Sequence, residues 1–231
     1  MINYKNIRSV HLEISTRCNA ACPDCPRNFR GVNILDSYPL CDMRLDQFQK
    51  IFPVDFLHQL SSIHINGNHG DFVTAQDGLE IVEYIRQASS KIHIRISTNA
   101  SAKPNIWARL GELNTTIQFR IDGLEDTLHM YRRNVKYSKV MENAQAFIRA
   151  GGRAQWNFIV FKHNEHQVDV VRERAKELGF QNVLVRNAGR FFNHEDVEEL
   201  SEWPVYDDIN KIAYYLEPPI NTEFRNKTMK A

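Results

Sequence analysis

The chain has 231 residues, of which 42% are hydrophobic and 25% are charged, and its formal net charge is +1. This length favours one domain with a sizeable core, and the balanced charge gives no reason to expect nucleic acid or an acidic membrane surface as a partner. No apolar run approaches the roughly 18 residues of a membrane span, and the first residues lack the apolar stretch of a signal peptide, so we expect a cytoplasmic protein.

Six segments with alternating apolar residues predict six β-strands. They lie at residues 10–14, 63–65, 91–97, 117–121, 154–161 and 182–186. Helical periodicity occurs between them, over residues 44–59, 77–89, 105–113, 137–148 and 168–178. Gly151 and Gly179 follow the last two helices, where a C-terminal cap is expected. The alternation predicts an α/β fold with parallel strands, either a doubly wound sheet or a partial barrel.

The strand faces opposite these apolar residues are polar in at least five strands. They carry His11, Glu13, His64, Asn66, His93, Arg95, Ser97, Gln118, Arg120, Asp122, Gln155 and Asn157. Both faces of a parallel sheet are normally apolar, and a closed eight-stranded barrel fills its lumen with bulky apolar side chains. The pattern therefore favours an open barrel of six β/α units around a polar lumen. An internal hydrogen-bond network is the alternative explanation.

The predicted barrel occupies residues 1–190. Residues 191–231 form a C-terminal tail, which either caps the open barrel or is the remnant of a lost extension.

Three of the four cysteines lie in the stretch CNAACPDC, as Cys18, Cys22 and Cys25. This stretch follows the first strand, at the end of the sheet where α/β folds gather their ligand sites. A structural zinc site takes four ligands, often in two separated pairs, so its fourth ligand would be Cys41 or a distant histidine. A [4Fe–4S] cluster matches better, because one loop can hold three corners and leave the fourth iron open.

This cysteine spacing resembles the signature of radical S-adenosylmethionine (radical SAM) enzymes. The segment LEISTRCNAACPDCPR is similar to the opening of the branch that often carries SPASM or twitch extensions. Other family elements recur in order: NGNHGDF at 66–72, STNAS at 97–101, IDGLEDTLHMYR at 121–132 and FIVFKHNE at 158–165. The resemblance covers residues 8–186.

The resemblance implies a (β/α)6 partial barrel and a [4Fe–4S] cluster held by the three cysteines. It also implies that SAM chelates the fourth iron and is cleaved by one electron to a 5′-deoxyadenosyl radical, which abstracts hydrogen from a substrate. An external reductant such as flavodoxin or ferredoxin would supply that electron. The SAM-binding residues that it implies are Gly67, Asn68, Gly70, Asp71, Ser97, Asn99, Asp122, Arg132 and Val160. Each also has an ordinary structural explanation: a strand-to-helix turn for Gly67, Asn68, Gly70 and Asp71, a turn for Asp122, loop or cap contacts for Ser97 and Asn99, a salt bridge for Arg132 and core packing for Val160.

The chain departs from the family pattern at several positions. Asp24 stands before the third cysteine, where relatives usually have an aromatic residue, and Phe72 follows Asp71, where relatives often have proline. No cysteine follows Cys41, so we expect one cluster and no auxiliary cluster, with Cys41 as a spare thiol.

Polar residues of the predicted lumen are the candidates for contacting the substrate. They are Glu13, His64, His93, Arg95, Arg120, Asn157 and Arg186. The arginines favour a small anionic substrate. A peptide-modifying radical SAM enzyme and a non-catalytic iron–sulfur sensor or scaffold are the alternatives.

Overall fold

A parallel sheet of six strands is the centre of the fold in the computed structural model, which describes residues 3–34, 39–187, 191–193 and 198–225. The strands and helices follow in the order β1 (Ser9–Leu12), β2 (Asn28–Phe29), β3 (Val32–Ile34), α1 (Leu45–Ile51), α2 (Val54–Gln59), β4 (Ser62–Ile65), α3 (Gly78–Ala88), β5 (His93–Thr98), α4 (Trp107–Glu112), β6 (Thr116–Arg120), α5 (Leu128–Tyr131), α6 (Tyr137–Arg149), β7 (Arg153–Val160), α7 (Val168–Glu177), β8 (Asn182–Asn187), β9 (Phe192–Asn193), β10 (Glu198–Glu199), β11 (Trp203–Tyr206) and β12 (Ile212–Leu216). Short 3₁₀ helices cover Tyr4–Asn6, Phe72–Thr74, Glu165–Gln167 and Thr222–Phe224.

The sheet has the order β1-β4-β5-β6-β7-β8, and every neighbouring pair is parallel. This order follows the chain without the reversal that defines a doubly wound sheet. At least one helix lies between each strand and the next. The predicted partial barrel of six β/α units is therefore confirmed.

One buried apolar row runs across the sheet and holds the helices to it. Leu12 pairs with Ile65, Ile65 with Ile96, and Ile96 with Ile117. The three isoleucines are at most 1% exposed. Burying such side chains is the main stabilising contribution to a fold of this kind.

The helix predicted over residues 44–59 is instead two helices, α1 and α2. Pro53 stands between them as the N-cap of α2. Proline has no N–H to donate within a helix, and its ring clashes with the preceding turn. The predicted glycine caps are confirmed: Gly151 and Gly179, at φ of +86° and +85°, follow α6 and α7.

The segment after β8 contacts the loop after β1 and helix α5, at the carboxyl ends of the strands. Trp203 Nε1 donates to the carbonyl of Pro23 at 3.4 Å, and the Tyr214 hydroxyl donates to the carbonyl of Met130 at 2.6 Å. Strands β11 and β12 form the antiparallel hairpin that makes these contacts. The predicted boundary at residue 190 falls within 188–190, outside the described residues. Among the helices in the described ranges, none is long and apolar enough to cross a membrane.

Candidate active site

The three clustered cysteines line one cavity of about 170 Å³ at the carboxyl ends of the strands. Its remaining lining residues are Ala20, Pro26, Arg27, Gly67, Asn68, Gly70, Asp71, Ser97, Asn99, Arg120, Tyr131, Arg132 and Ile159. They come from the ends of β5, β6 and β7 and from the segments that follow β1, β4, β5 and β6. We call this space the cofactor cavity, after the role that we propose for it.

Two of the thiols in this cavity accept hydrogen bonds from side-chain N–H groups. Arg132 Nη1 donates to Cys22 Sγ at 3.4 Å, and Asn99 Nδ2 donates to Cys18 Sγ at 3.7 Å. Hydrogen bonds to sulfur are among the features that tune iron–sulfur clusters. Across the described part of the chain, no three His, Cys, Asp or Glu side chains meet closely enough to hold a single metal ion. The three thiols instead surround a cavity, and two of them accept hydrogen bonds from N–H groups. This arrangement fits an iron–sulfur cluster, in which each thiolate binds a different iron.

Burial dominates the electrostatics of these thiols. It raises the pKa of Cys18 to about 12, with a further increase from the nearby carboxylate of Asp71. Burial also raises the pKa of Cys22, which the guanidinium of Arg132 partly opposes. Both side chains are therefore neutral thiols at ordinary pH, and metal binding must displace their protons.

Gly67 and Gly70 bring the loop after β4, which we call the glycine loop (residues 66–71), onto the cysteine loop (residues 15–27). A Cβ atom on Gly67 would collide with the carbonyl oxygen of Gly70, and one on Gly70 would collide with that of Ser15. The N–H of Asp71 donates to the carbonyl of Arg17 at 2.7 Å. Only glycine permits this approach of the two backbones.

Asp71 joins the same loop to the end of β5. Its carboxylate accepts from the N–H of Val73 at 3.0 Å, from the N–H of Asn99 at 2.8 Å and from the hydroxyl of Thr98. Burial raises the pKa of Asp71, and these hydrogen bonds oppose the increase. Asn68 in this loop donates to the carboxylate of Glu13.

Ser97 belongs to a hydrogen-bonded row that crosses the sheet. Arg95 lies 3.3 Å from His64 Nδ1, and His64 Nε2 lies 3.0 Å from the hydroxyl of Ser97. That hydroxyl donates to Gln118 at 3.0 Å, and Gln118 donates to Gln155 at 3.1 Å. Because Arg95 has only donors, Nδ1 of His64 must accept and Nε2 must carry the proton. Part of the polar strand face is therefore an internal network.

Asp122 and Arg132 bind each other. Arg132 Nε lies 2.5 Å from Asp122 Oδ2, and Asp122 Oδ1 accepts from the N–H of Ile159 at 2.6 Å. Arg132 lines the cofactor cavity, whereas Asp122 is fully buried and does not. Val160 is also fully buried, and Ile159 faces the cavity in its place because side chains alternate along a strand.

A second cavity of about 420 Å³ adjoins the first, and Arg120, Tyr131 and Ile159 line both. Its other lining residues are Asp24, Gln118, Asn157, Phe161, Arg186, Asn187, Phe191, Trp203 and Leu216. We call it the substrate chamber, after the role that we propose for it.

The structure separates the predicted substrate residues into two groups. Arg120, Asn157 and Arg186 line the substrate chamber, whereas Glu13, His64, His93 and Arg95 line neither cavity. Glu13 lines an outer groove with Cys41. His93 begins β5, at the amino ends of the strands and away from both cavities, where its Nε2 lies 3.0 Å from the Thr116 hydroxyl.

Sequence reasoning missed Arg27 in the cofactor cavity and the tail residues Phe191, Trp203 and Leu216 in the substrate chamber. The only signal for the tail residues is their large apolar type in a segment with no strong periodicity. Asp24 stands out in the sequence as a departure from the family pattern, which did not reveal that it faces the chamber.

The family model of the radical SAM superfamily matches residues 12–172, and the chain therefore belongs to this superfamily of enzymes. The narrower resemblance to the SPASM or twitch branch stays a prediction. A search of curated proteins found no match.

Three solved structures illustrate the shared fold. SuiB of Streptococcus suis bound to precursor peptide SuiA has 16% identity and a TM-score of 0.63, over 83% of this chain and 42% of that chain. Native anSMEcpe with bound AdoMet has 18% identity and a TM-score of 0.62, over 83% and 56%. The methyltransferase TsrM of Kitasatospora setae, with tryptophan and aza-SAM bound, has 7% identity and a TM-score of 0.58, over 95% and 50%. This chain thus matches about half the length of each, and at these identities the likeness concerns the fold.

Proposed function

We propose that Cys18, Cys22 and Cys25 hold one [4Fe–4S] cluster, that SAM binds beside it, and that the enzyme abstracts hydrogen from a substrate in the adjoining chamber. The observation that carries this proposal is the cofactor cavity, which three thiols and the glycine loop line together. When bound and reduced by an external donor of the flavodoxin or ferredoxin type, the cluster supplies the electron that cleaves SAM to methionine and a 5′-deoxyadenosyl radical.

The protein positions SAM through the loops at the strand ends. The glycine loop presents backbone to the cofactor cavity, and Ser97 and Asn99 present side chains there. Arg132 is paired with Asp122, whereas among the described residues Arg120 forms no salt bridge and donates from Nη2 to Asn66 at 2.8 Å. Burial, together with repulsion from Arg132, lowers the pKa of Arg120. An anionic group of SAM or of the substrate would stabilise its charge.

The proposed substrate is a small anionic molecule. Arg120 and Arg186 give the substrate chamber two cations, and Asn157 and Gln118 add hydrogen-bonding groups. The volume of about 420 Å³ lies within the range of roughly 300–1,000 Å³ typical of small-molecule sites. Asp24 lines the same chamber, so a substrate that also carries an amine or a hydroxyl donor fits it best.

Peptide modification is the second candidate. SuiB and anSMEcpe have been solved with peptides bound, and the chamber would then receive one side chain of a peptide. Transfer of deuterium to 5′-deoxyadenosine, from labelled peptides or from labelled small acids, distinguishes the two candidates.

Anaerobic reconstitution with iron and sulfide tests the core of the proposal. We expect a cluster absorption band and, with SAM and a strong reductant, 5′-deoxyadenosine. Cys22→Ala should lose both, while Cys41→Ala, which changes the exposed cysteine of the outer groove, should keep both. A cluster that yields no 5′-deoxyadenosine would favour the non-catalytic sensor or scaffold, and full iron content in Cys22→Ala would contradict the cluster assignment.

A further inference from the structure

Arg27 is a buried cation with most of its hydrogen-bonding capacity unused. The residue is 2% exposed, and its Nε and Nη2 atoms have no hydrogen-bond partner. Its Nη1 atom donates to the carbonyl oxygen of Cys18 at 3.4 Å. The residue lines the cofactor cavity together with the three cysteines.

This arrangement is costly unless something else occupies the cavity. A buried charge without a partner destabilises a fold. Among the described residues, Arg27 forms no salt bridge, whereas the other buried arginine of the cavity, Arg132, is paired with Asp122. An anionic group that accepts hydrogen bonds within the cavity would supply the partner that Arg27 lacks.

We propose that Arg27 is a positioning residue for the cluster. Its Nε and Nη2 atoms donate hydrogen bonds to cluster sulfur atoms near Cys18, and its charge raises the reduction potential of the cluster. This inference rests on the proposed function. The bond from Nη1 to the Cys18 carbonyl keeps the guanidinium within the cysteine loop, which favours the cluster over the SAM carboxylate as its partner. Reduction adds negative charge to the cluster, so a nearby cation stabilises the reduced state.

The experiment compares midpoint potentials of reconstituted protein in the absence of SAM. We expect Arg27→Gln to lower the ratio of reduced to oxidised cluster at a fixed potential about tenfold, equivalent to about 59 mV for one electron. Arg27→Lys keeps the charge but loses the fork of donors, and should cause a smaller decrease. Arg17→Gln is the control, because Arg17 belongs to the same loop but is half-exposed and paired with Asp42.

A midpoint potential that is unchanged in both Arg27 variants would overturn the inference. This holds even if the variants bind SAM more weakly. If Arg27→Gln assembles no cluster, Arg27→Lys decides alone: a decrease supports the role of Arg27, and a wild-type potential overturns it. Failure of the wild-type protein to assemble a cluster would instead contradict the proposed function itself.

Discussion

The guanidinium of Arg132 is ion-paired with the carboxylate of Asp122, with Nε and Oδ2 2.5 Å apart and both side chains buried. Arg132 also donates to the thiol of Cys22. The end of β6 is thereby connected to the cysteine loop through one guanidinium. Burial alone would lower the pKa of Arg132, but the carboxylate of Asp122 raises it well above its usual value.

Breaking this pair should destabilise the protein before any cofactor binds. Asp122→Ala leaves a buried cation and should reduce the free energy of unfolding by about 3–5 kcal/mol. Glu125→Ala is the matched control, since Glu125 pairs with Arg174 on the surface and should cost below about 1 kcal/mol. Urea denaturation of the metal-free protein measures both, and equal losses would contradict a structural role for the buried pair.

Gly70→Ala should destabilise the protein by at least about 2 kcal/mol, because its Cβ meets the backbone of Ser15, which cannot rotate away. Gly151→Ala is the comparison. Gly151 has a positive φ but nothing within 4 Å of the added Cβ, so this substitution should lower the free energy of unfolding by about 1 kcal/mol. Urea midpoints of the two variants test this order, and a smaller loss for Gly70→Ala would disprove the close approach of the two loops.

Stability should fall in mild acid because of His64. Burial, with Arg95 as the next cause, lowers the pKa of His64 to about 4, whereas a histidine in the unfolded chain has a pKa of about 6.5. The unfolded chain binds more protons between these values, so stability is lost as pH falls from about 6.5 to 4. His64→Asn should reduce this dependence in urea midpoints measured at several pH values.

His58→Asn, which alters an exposed histidine, should leave the dependence unchanged. Burial also lowers the pKa of His163 to about 4. His64→Asn should therefore keep part of the pH dependence of stability. An identical slope in wild type and His64→Asn would exclude His64 as a source.

The cysteines should differ in reactivity when no metal is bound. Cys41 is exposed, whereas burial raises the pKa of Cys18 to about 12 and also raises that of Cys22. Since the thiolate is the reactive form, iodoacetamide should label Cys41 first. Mass spectrometry of digested protein measures the order, with urea-unfolded protein as the control in which all four react. Faster labelling of Cys22 than of Cys41 would refute its buried, protonated state.

Periodicity was sufficient to predict the six-stranded sheet, because apolar residues such as Ile96 and Ile117 repeat on one strand face. Periodicity did not show which polar residues form hydrogen bonds or ion pairs with each other. Asp122 and Arg132 have the residue types of cofactor contacts, but their pairing depends on where β6 and the loop after it lie in space. The same holds for His64 and Arg95, whose network is set by the register of neighbouring strands.

The tail was the least predictable part of the site. Its hairpin brings Trp203 to Pro23, a contact between residues 180 positions apart. A contact of this separation leaves no local pattern. Asp24 illustrates the same limit, since the spacing of the cysteines identifies the loop but does not establish which way the intervening side chain points.

The hairpin of β11 and β12 also has a consequence for the order of events during synthesis. Every residue that lines the cofactor cavity lies between positions 18 and 159, whereas Phe191, Trp203 and Leu216 of the substrate chamber come later in the chain. A ribosome makes the earlier residues first. If the three cysteines hold a cluster as we propose, all its protein ligands are therefore made while the chamber still lacks one wall, and translation leaves an interval in which iron and sulfide can reach the thiols from that side.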